Sequence, residues 1–191
     1  MACAEAYPSP DARKMGAAIT IRNIVVRSLS PKRTRGSLRY GNLVVPCALG
    51  RGGITSRKRE GDGATPRGAF RLERGYFRPD LNRRPRTALP LSPTRPDDGW
   101  CDAPNDRNYN CRVRHPYPAS AERLWRADVL YDVVVVLDYN RRPRRRGAGS
   151  AIFLHIAKPG YPPTEGCVAL AYADLVKLLA AIGPRTRLVV L

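Results

Sequence analysis

Histidine is almost missing from this chain: His115 and His155 are the only two among 191 residues. That scarcity excludes a metal centre built mainly from imidazoles. The one remaining combination, Cys101, Cys111 and His115, lacks the closely paired ligand spacing of zinc sites, so no metal is expected. Aromatic residues make up only 7%, too few to interleave with basic side chains as a stacking platform, so nucleic acid is not an expected partner. No apolar stretch approaches the ~20 residues of a membrane span, and Met1 to Met15 holds no apolar core long enough for a signal peptide. Gly50-Arg51-Gly52-Gly53 has the glycine density of a phosphate-cradling loop but not its Gly-Lys-Ser/Thr ending. There is no internal repeat and no cofactor fingerprint, and no cofactor is expected. Acidic side chains are also short, 16 against 34 Lys and Arg, which leaves a net charge of +18. Such a charge by itself would attract nucleic acid, an acidic surface or an acidic substrate. The basic residues fall in clusters, Arg33 to Arg39, Arg57 to Arg59, Arg83 to Arg86 and Arg141 to Arg146, each in a Pro- or Gly-containing segment that reads as a solvated loop.

The remaining composition is that of a globular protein. Hydrophobic residues form 43% of the chain, enough at this length for one domain with its own core. Residues 1–17, with Pro8, Ser9, Pro10 and Asp11, read as a flexible leader, and residues 18–191 as the folded domain. Ile19 to Val26 predicts a first strand and Leu43 to Leu49 a second, after a basic turn around Arg35-Gly36. Thr65-Pro66 predicts a rigid turn, followed by a strand from Ala69 to Leu72. Arg78 to Arg114 is rich in Pro, Asp, Asn and Arg without periodicity, which predicts a long functional loop or substrate cap. A capping serine at Ser120 predicts a short helix running to Val129. Asp132-Val133-Val134-Val135-Val136-Leu137 is apolar on both faces and predicts a central strand. Leu175, Leu178, Leu179 and Ile182 recur at i, i+3, i+4 and i+7, the stripe of an amphipathic helix that stops at Gly183-Pro184. Thr186 to Leu191 predicts a last strand.

Chemistry concentrates between Gly149 and Ala171. Ser150 to Ile156 predicts a short buried strand with His155 near its end. Lys158-Pro159-Gly160-Tyr161-Pro162-Pro163 cannot be regular structure, because its prolines withhold amide donors and fix φ, so it predicts a stiff loop. Thr164-Glu165-Gly166-Cys167 then places a thiol on a glycine turn just ahead of the predicted helix. A nearby imidazolium and a helix N-terminus are the usual means of ionising a thiol. Backbone amides at Gly166 and Cys167 are placed to hold an oxyanion. Taken singly, a cysteine is more often a small buried hydrophobe and a histidine a satisfied core residue. Their spacing across a stiff loop favours a nucleophile and its base.

These residues resemble the L,D-transpeptidase catalytic domain (the YkuD-like family), whose signature is a histidine at a strand end followed by Ser/Thr-x-Gly-Cys-apolar-Arg/Asn. His155 matches the base of that signature, and Thr164-Glu165-Gly166-Cys167-Val168 matches its nucleophile turn. Upstream, Thr65-Pro66-Arg67-Gly68-Ala69-Phe70 resembles the family's Thr-Pro-x-Gly-x-Phe segment. Arg59-Glu60-Gly61-Asp62-Gly63 and Asp98-Gly99-Trp100-Cys101-Asp102 resemble a compact branch of it. The resemblance spans roughly Ala18 to Leu191. It implies a mainly β fold with small helices, a YkuD-like β-sandwich, and acyl transfer between peptidoglycan stem peptides through a thioester. Cys167 is then the nucleophile, His155 the proton donor and acceptor, and Gly166 a backbone oxyanion contact. The same Cys-His site using water would be an L,D-carboxypeptidase, and an inactive chain would be a basic wall- or nucleic-acid-binding module. The resemblance also implies the cell envelope or periplasm as location, while the lack of a recognised signal peptide leaves the cytoplasm open.

The chain departs from the family at three points. Cys167 follows His155 by only 12 positions, Ala169 replaces a polar residue, and Glu165 stands where histidine is common. With Ala169 unable to bind substrate, Arg112, Arg114 and His115 are the candidate carboxylate ligands. Trp100 and Thr164 are expected to line the substrate groove. Cys101 and Cys111 flank one loop and are candidates for a disulfide in an exported protein.

Overall fold

The computed structural model describes residues 21–28, 30, 33–81 and 84–191; the proposed leader lies outside them, as do Ile19 and Thr20. Among the described residues fourteen strands and one α-helix follow in order, with short 3-10 turns at Pro79–Leu81 and Val129–Tyr131: β1 (Asn23–Ser28), β2 (Arg35–Tyr40), β3 (Leu43–Ala48), β4 (Ile54–Thr55), β5 (Thr65–Pro66), β6 (Gly68–Phe77), β7 (Leu91–Pro93), β8 (Asp98–Cys101), β9 (Arg112–Arg114), β10 (Ala121–Arg123), β11 (Val133–Leu137), β12 (Phe153–Ile156), β13 (Val168–Leu170), α1 (Tyr172–Ala181) and β14 (Arg187–Val190). The fold is mostly β, as the resemblance implies. The main sheet runs β11-β12-β13-β3-β2-β1-β14-β6-β7, and β11 pairs back onto β6, so the sheet curls and closes on itself.

The five-residue run of β11 is apolar throughout because it faces two cores. Val133, Val135 and Leu137 enter the main core with Leu154, Ile156, Val168 and Leu170, while Val134 and Val136 point the other way with Phe153 and Cys167. Burial on both faces is what a continuous apolar strand encodes. Leu175, Leu178, Leu179 and Ile182 fill the main core, so the apolar stripe of α1 is spent inward.

Several expectations change. Arg35 to Tyr40 is strand β2, paired antiparallel with all of β3, because its alternate residues Leu38 and Tyr40 are buried while its arginines face out. Thr65-Pro66 is a short strand parallel to β4 rather than an isolated turn. The region from Arg78 to Arg114 contains β7, β8 and β9, and no helix forms after Ser120: β10 pairs there with β8 in a three-stranded sheet ordered β10-β8-β9. That sheet packs on the second core through Trp100, whose ring meets Phe153 edge-on at 5.2 Å. It thereby walls one side of the cavity in front of Cys167.

Candidate active site

The turn that carries the thiol is held from both sides. Thr164 Oγ1 accepts from the Gly166 amide at 3.2 Å and donates to the Cys167 carbonyl at 2.6 Å. Thr164 also exchanges backbone bonds with its neighbours: its amide donates to Leu49, and Arg51 donates to its carbonyl. The Gly50 amide in turn donates to Thr65 Oγ1 at 2.8 Å, which gives the Thr65-Pro66 segment an architectural role behind the turn. Gly166 has φ +127°, and a Cβ there would lie 2.8 Å from the Ala64 carbonyl oxygen. Only glycine meets both conditions without strain.

Strands β12 and β13 run parallel, with Leu154 opposite Val168 and His155 opposite Ala169. Cys167, one residue before β13, therefore falls beside Phe153 and is the diagonal neighbour of His155 on the same face of the sheet. Both open into one cavity of about 610 Å³, and both are nearly sealed, Cys167 at 6% and His155 at 3% exposure. His155 Nδ1 lies 2.8 Å from the Ile156 carbonyl oxygen. A carbonyl only accepts, so Nδ1 carries the hydrogen and Nε2 is left as the acceptor. Tyr131 packs edge-on against the imidazole at 5.2 Å. The Cys167 sulfur accepts from the Phe153 amide at 3.3 Å and donates to the Ala151 carbonyl at 3.2 Å. Ala151 adopts φ +51°, a left-handed conformation for a residue with a Cβ. Its amide is held by Asn110 Oδ1 at 3.1 Å.

Electrostatics make both groups neutral at rest. Burial pulls the His155 imidazole down to about 4. Burial, helped by the Glu122 carboxylate, pushes the Cys167 thiol up to about 12. A resting thiolate-imidazolium pair is thus not supported. The helix that was to assist does not begin at the thiol either: β13 intervenes and α1 starts at Tyr172, beyond the first-turn reach of its dipole. The donor that stands ready is the sulfhydryl, and the base that stands ready is Nε2.

Of the residues expected to bind substrate, Thr164 alone lines the cavity, and Trp100, Arg112, Arg114 and His115 do not. Trp100 is 1% exposed, and its Nε1 donates to Asn110 Oδ1 at 2.9 Å; its bulk supplies core, not groove. Arg112 spends its guanidinium on the fully buried Asp98, with Nε at 2.9 Å, and lies over the Tyr76 ring. Arg114 is exposed beside Asp97 and does not line the cavity. Thr164 does line it, but its hydroxyl is committed to the turn. Gly166 is in the turn as expected, yet its amide is already used by Thr164, which leaves the Cys167 amide as the candidate oxyanion donor. Cys101 is a free thiol, so the Cys101-Cys111 bridge does not form.

The cavity cations are Arg126 and Lys158, and its acids are Glu60, Asp102, Glu122 and Glu165. None of these was expected as a site residue: Lys158, Glu60, Asp102 and Glu165 stand in the sequence analysis only as members of a loop or motif, and Arg126 and Glu122 not at all. Arg126 forks onto Asp128 at 2.7 and 2.9 Å, and Lys158 reaches the same carboxylate at 3.6 Å. Tyr131 donates to Glu122 Oε1 at 2.6 Å, and burial pushes the Glu122 carboxyl above its ordinary range. Glu60 accepts from Ser150 at 2.8 Å and from Tyr109, which ties the Arg59 to Gly63 segment to the cavity rim. A signal for Arg126 existed in the Arg-x-Asp spacing, which fits a guanidinium fork, but arginine is too common here to stand out. Among the described residues, no group of three or more His, Cys, Asp or Glu could hold a metal ion.

Residues 23–190 match the family model of YkuD, the L,D-transpeptidase catalytic domain. No curated protein matches the chain significantly in sequence. Among solved structures, the chain is similar to that described as "Structure of Bdellovibrio bacteriovorus Bd1075", at 15% identity and a TM-score of 0.44. That likeness covers 90% of this chain and 48% of the other, so this chain spans about half the length of the solved one.

Proposed function

The chain belongs to the YkuD family of L,D-transpeptidase catalytic domains, and we propose that it transfers an acyl group between peptidoglycan stem peptides with Cys167 as nucleophile. The observation that carries this reading is a cysteine and a tautomer-fixed histidine opening from diagonal positions of two parallel strands into one cavity. In the first half-reaction the Cys167 sulfur attacks the carbonyl of the donor stem, next to a diamino acid. The thiol proton passes to His155 Nε2, the C–N bond breaks, and the proton leaves with the departing amine. In the second, the acceptor amine gives its proton to Nε2 and attacks the thioester, which restores the thiol.

Because both groups are neutral at rest, the proton moves as the S–C bond forms and not before. Burial keeps water from the thioester and strengthens the field of the Cys167 amide at the developing oxyanion. Ala169 lies opposite His155 and is 1% exposed, so it contributes room and no polarity. The substrate carboxylate is assigned instead to Arg126 and Lys158, whose shared Asp128 sets the position of both. Peptidoglycan as substrate sets the work of the enzyme at the cell envelope.

Purified muropeptides incubated with the protein and read by mass test the proposal. New cross-linked dimers that vanish in Cys167→Ser support it. Trimmed stems alone would replace transfer by hydrolysis at the same thiol, and unchanged muropeptides would remove the proposal.

A further inference from the structure

A second cleft, of about 420 Å³, shares no lining residue with the first and is built mainly from cations: Arg107, Arg141, Arg142, Arg144 and Arg146, with Asp106 and Tyr109. Its loop is not loosely draped. Asn140, at φ +51°, donates from Nδ2 to the carbonyls of Arg145 and Gly149 at 2.9 and 2.8 Å and accepts from the Arg145 amide. Asn110 Nδ2 holds the Tyr139 and Asn140 carbonyls. Two arginines are structural. Arg141 pairs with Glu73 at 3.0 Å and stacks over Trp100, and Arg144 donates to the Tyr109 carbonyl and to Cys111 Sγ. Arg107, Arg142 and Arg146 are exposed, and no hydrogen bond or ion-pair contact joins their guanidinium groups to any described residue. The carboxylate of Asp106 accepts from the Tyr117 hydroxyl at 2.7 Å and the Asn108 amide at 2.7 Å; these bonds and the charge of Arg107 hold it ionised, so it offsets one of the five cations and leaves the cleft strongly positive.

We propose that this cleft, formed where the Arg141 to Arg146 loop is stapled against Arg107 and Tyr109, binds a chain of phosphate groups, a base-free phosphodiester polyanion. Guanidinium forks match phosphate and carboxylate alike, and charge density decides between them. Three exposed guanidinium groups around one small cleft, with only the Asp106 carboxylate to offset them, call for closely repeated negative charge, which successive phosphates carry and isolated peptide carboxylates do not. Nucleic acid is disfavoured because the single aromatic ring of the cleft, Tyr109, is buried and its hydroxyl is bonded to Glu60, so bases would find no stacking surface. A membrane is disfavoured because no apolar side chain other than Tyr109 and Pro143 lines the cleft. The same Tyr109-Glu60 contact sets the two cavities back to back, which would tether an anionic polymer behind the catalytic groove.

Binding of a glycerol phosphate oligomer to the full chain, measured by calorimetry at several salt concentrations, tests the assignment. Wild type should bind saturably. Arg142→Ala/Arg146→Ala should bind roughly 10- to 100-fold more weakly, with a salt slope smaller by about 2, since each lost phosphate contact lowers it by about 1. Both side chains are solvent-facing, so alkylation of Cys167 should be unchanged, which separates loss of this site from loss of the catalytic one. Equal binding by wild type and double variant would overturn the assignment. So would tighter binding of a single-stranded DNA of equal charge, or binding seen only with vesicles of anionic lipid.

Discussion

Alkylation of Cys167, followed across pH, is expected to report a thiol and not a resting thiolate. The perturbation is pH itself, combined with Glu122→Gln. With the thiol near 12 in place of its ordinary 9, the thiolate population between pH 7 and 8 is about 1000-fold smaller, equivalent to about 4 kcal/mol at 1.36 kcal/mol per unit. A thiolate of higher pKa is intrinsically the better nucleophile, and a Brønsted slope near 0.45 returns about 20-fold. The net expectation is iodoacetamide labelling about 50-fold slower than in the unfolded chain, rising about tenfold per pH unit from pH 6 to 10. Peptide-level mass distinguishes Cys167 from Cys47 and Cys101, the other free thiols of the described residues. Glu122→Gln removes the second-largest cause of the raised pKa, after burial, and should speed Cys167 labelling at pH 8 without changing that of Cys47. A plateau of fast labelling between pH 5 and 8 would refute the reasoning, because it would require an ion pair at rest.

Other outcomes follow from the same contacts. His155→Gln should lower turnover by roughly 10²- to 10⁴-fold, the range of a general base, measured on muropeptides. The imidazole also links stability to acid. Its folded pKa, about 4, lies below the ordinary 6.5, so between these values the unfolded chain binds the extra proton. Stability is therefore full above pH 6.5 and falls by up to about 3 kcal/mol on the way down to pH 4, a loss that denaturant titration of His155→Gln should not show. Gly166→Ala should cost about 1–3 kcal/mol of stability from its left-handed backbone alone and should slow Cys167 labelling by displacing the turn, readable as melting temperature and adduct rate. Arg112→Ala should lower stability by about 3–5 kcal/mol, because it strands the buried Asp98, while Arg126→Ala should raise KM more than it lowers kcat; the reverse pattern would return substrate binding to Arg112.

How much of this could be read from residues alone depended on how strong the local signal was. β11 was legible because five successive apolar residues have no other stable use than a strand covered on both faces. The stripe of α1 was legible through its period. The turn from Thr164 to Cys167 was legible because Thr164, Gly166 and Cys167 each serve a bond or a backbone angle that few other residues could supply. Strands β8, β9 and β10 were not, since runs of three or four residues carry too little alternation to separate them from loop. The gap between Cys167 and α1 was also hidden, because Val168-Ala169-Leu170 suits a strand as well as a first helical turn. The lining of the cavity was the least legible: in a chain with 34 basic side chains, composition says nothing of which arginine is spent on a buried carboxylate and which faces the cavity.

The central claim is a covalent bond between Cys167 and the donor stem, and trapping that bond tests it most directly. Protein mixed with a disaccharide tetrapeptide donor and quenched in acid should gain the mass of the donor minus its departing terminal residue, and proteolysis should map the gain to the peptide containing Cys167. The adduct should be absent from Cys167→Ser and should form far more slowly in His155→Gln. An adduct on another residue, or cross-linked product formed by Cys167→Ser, would contradict the account.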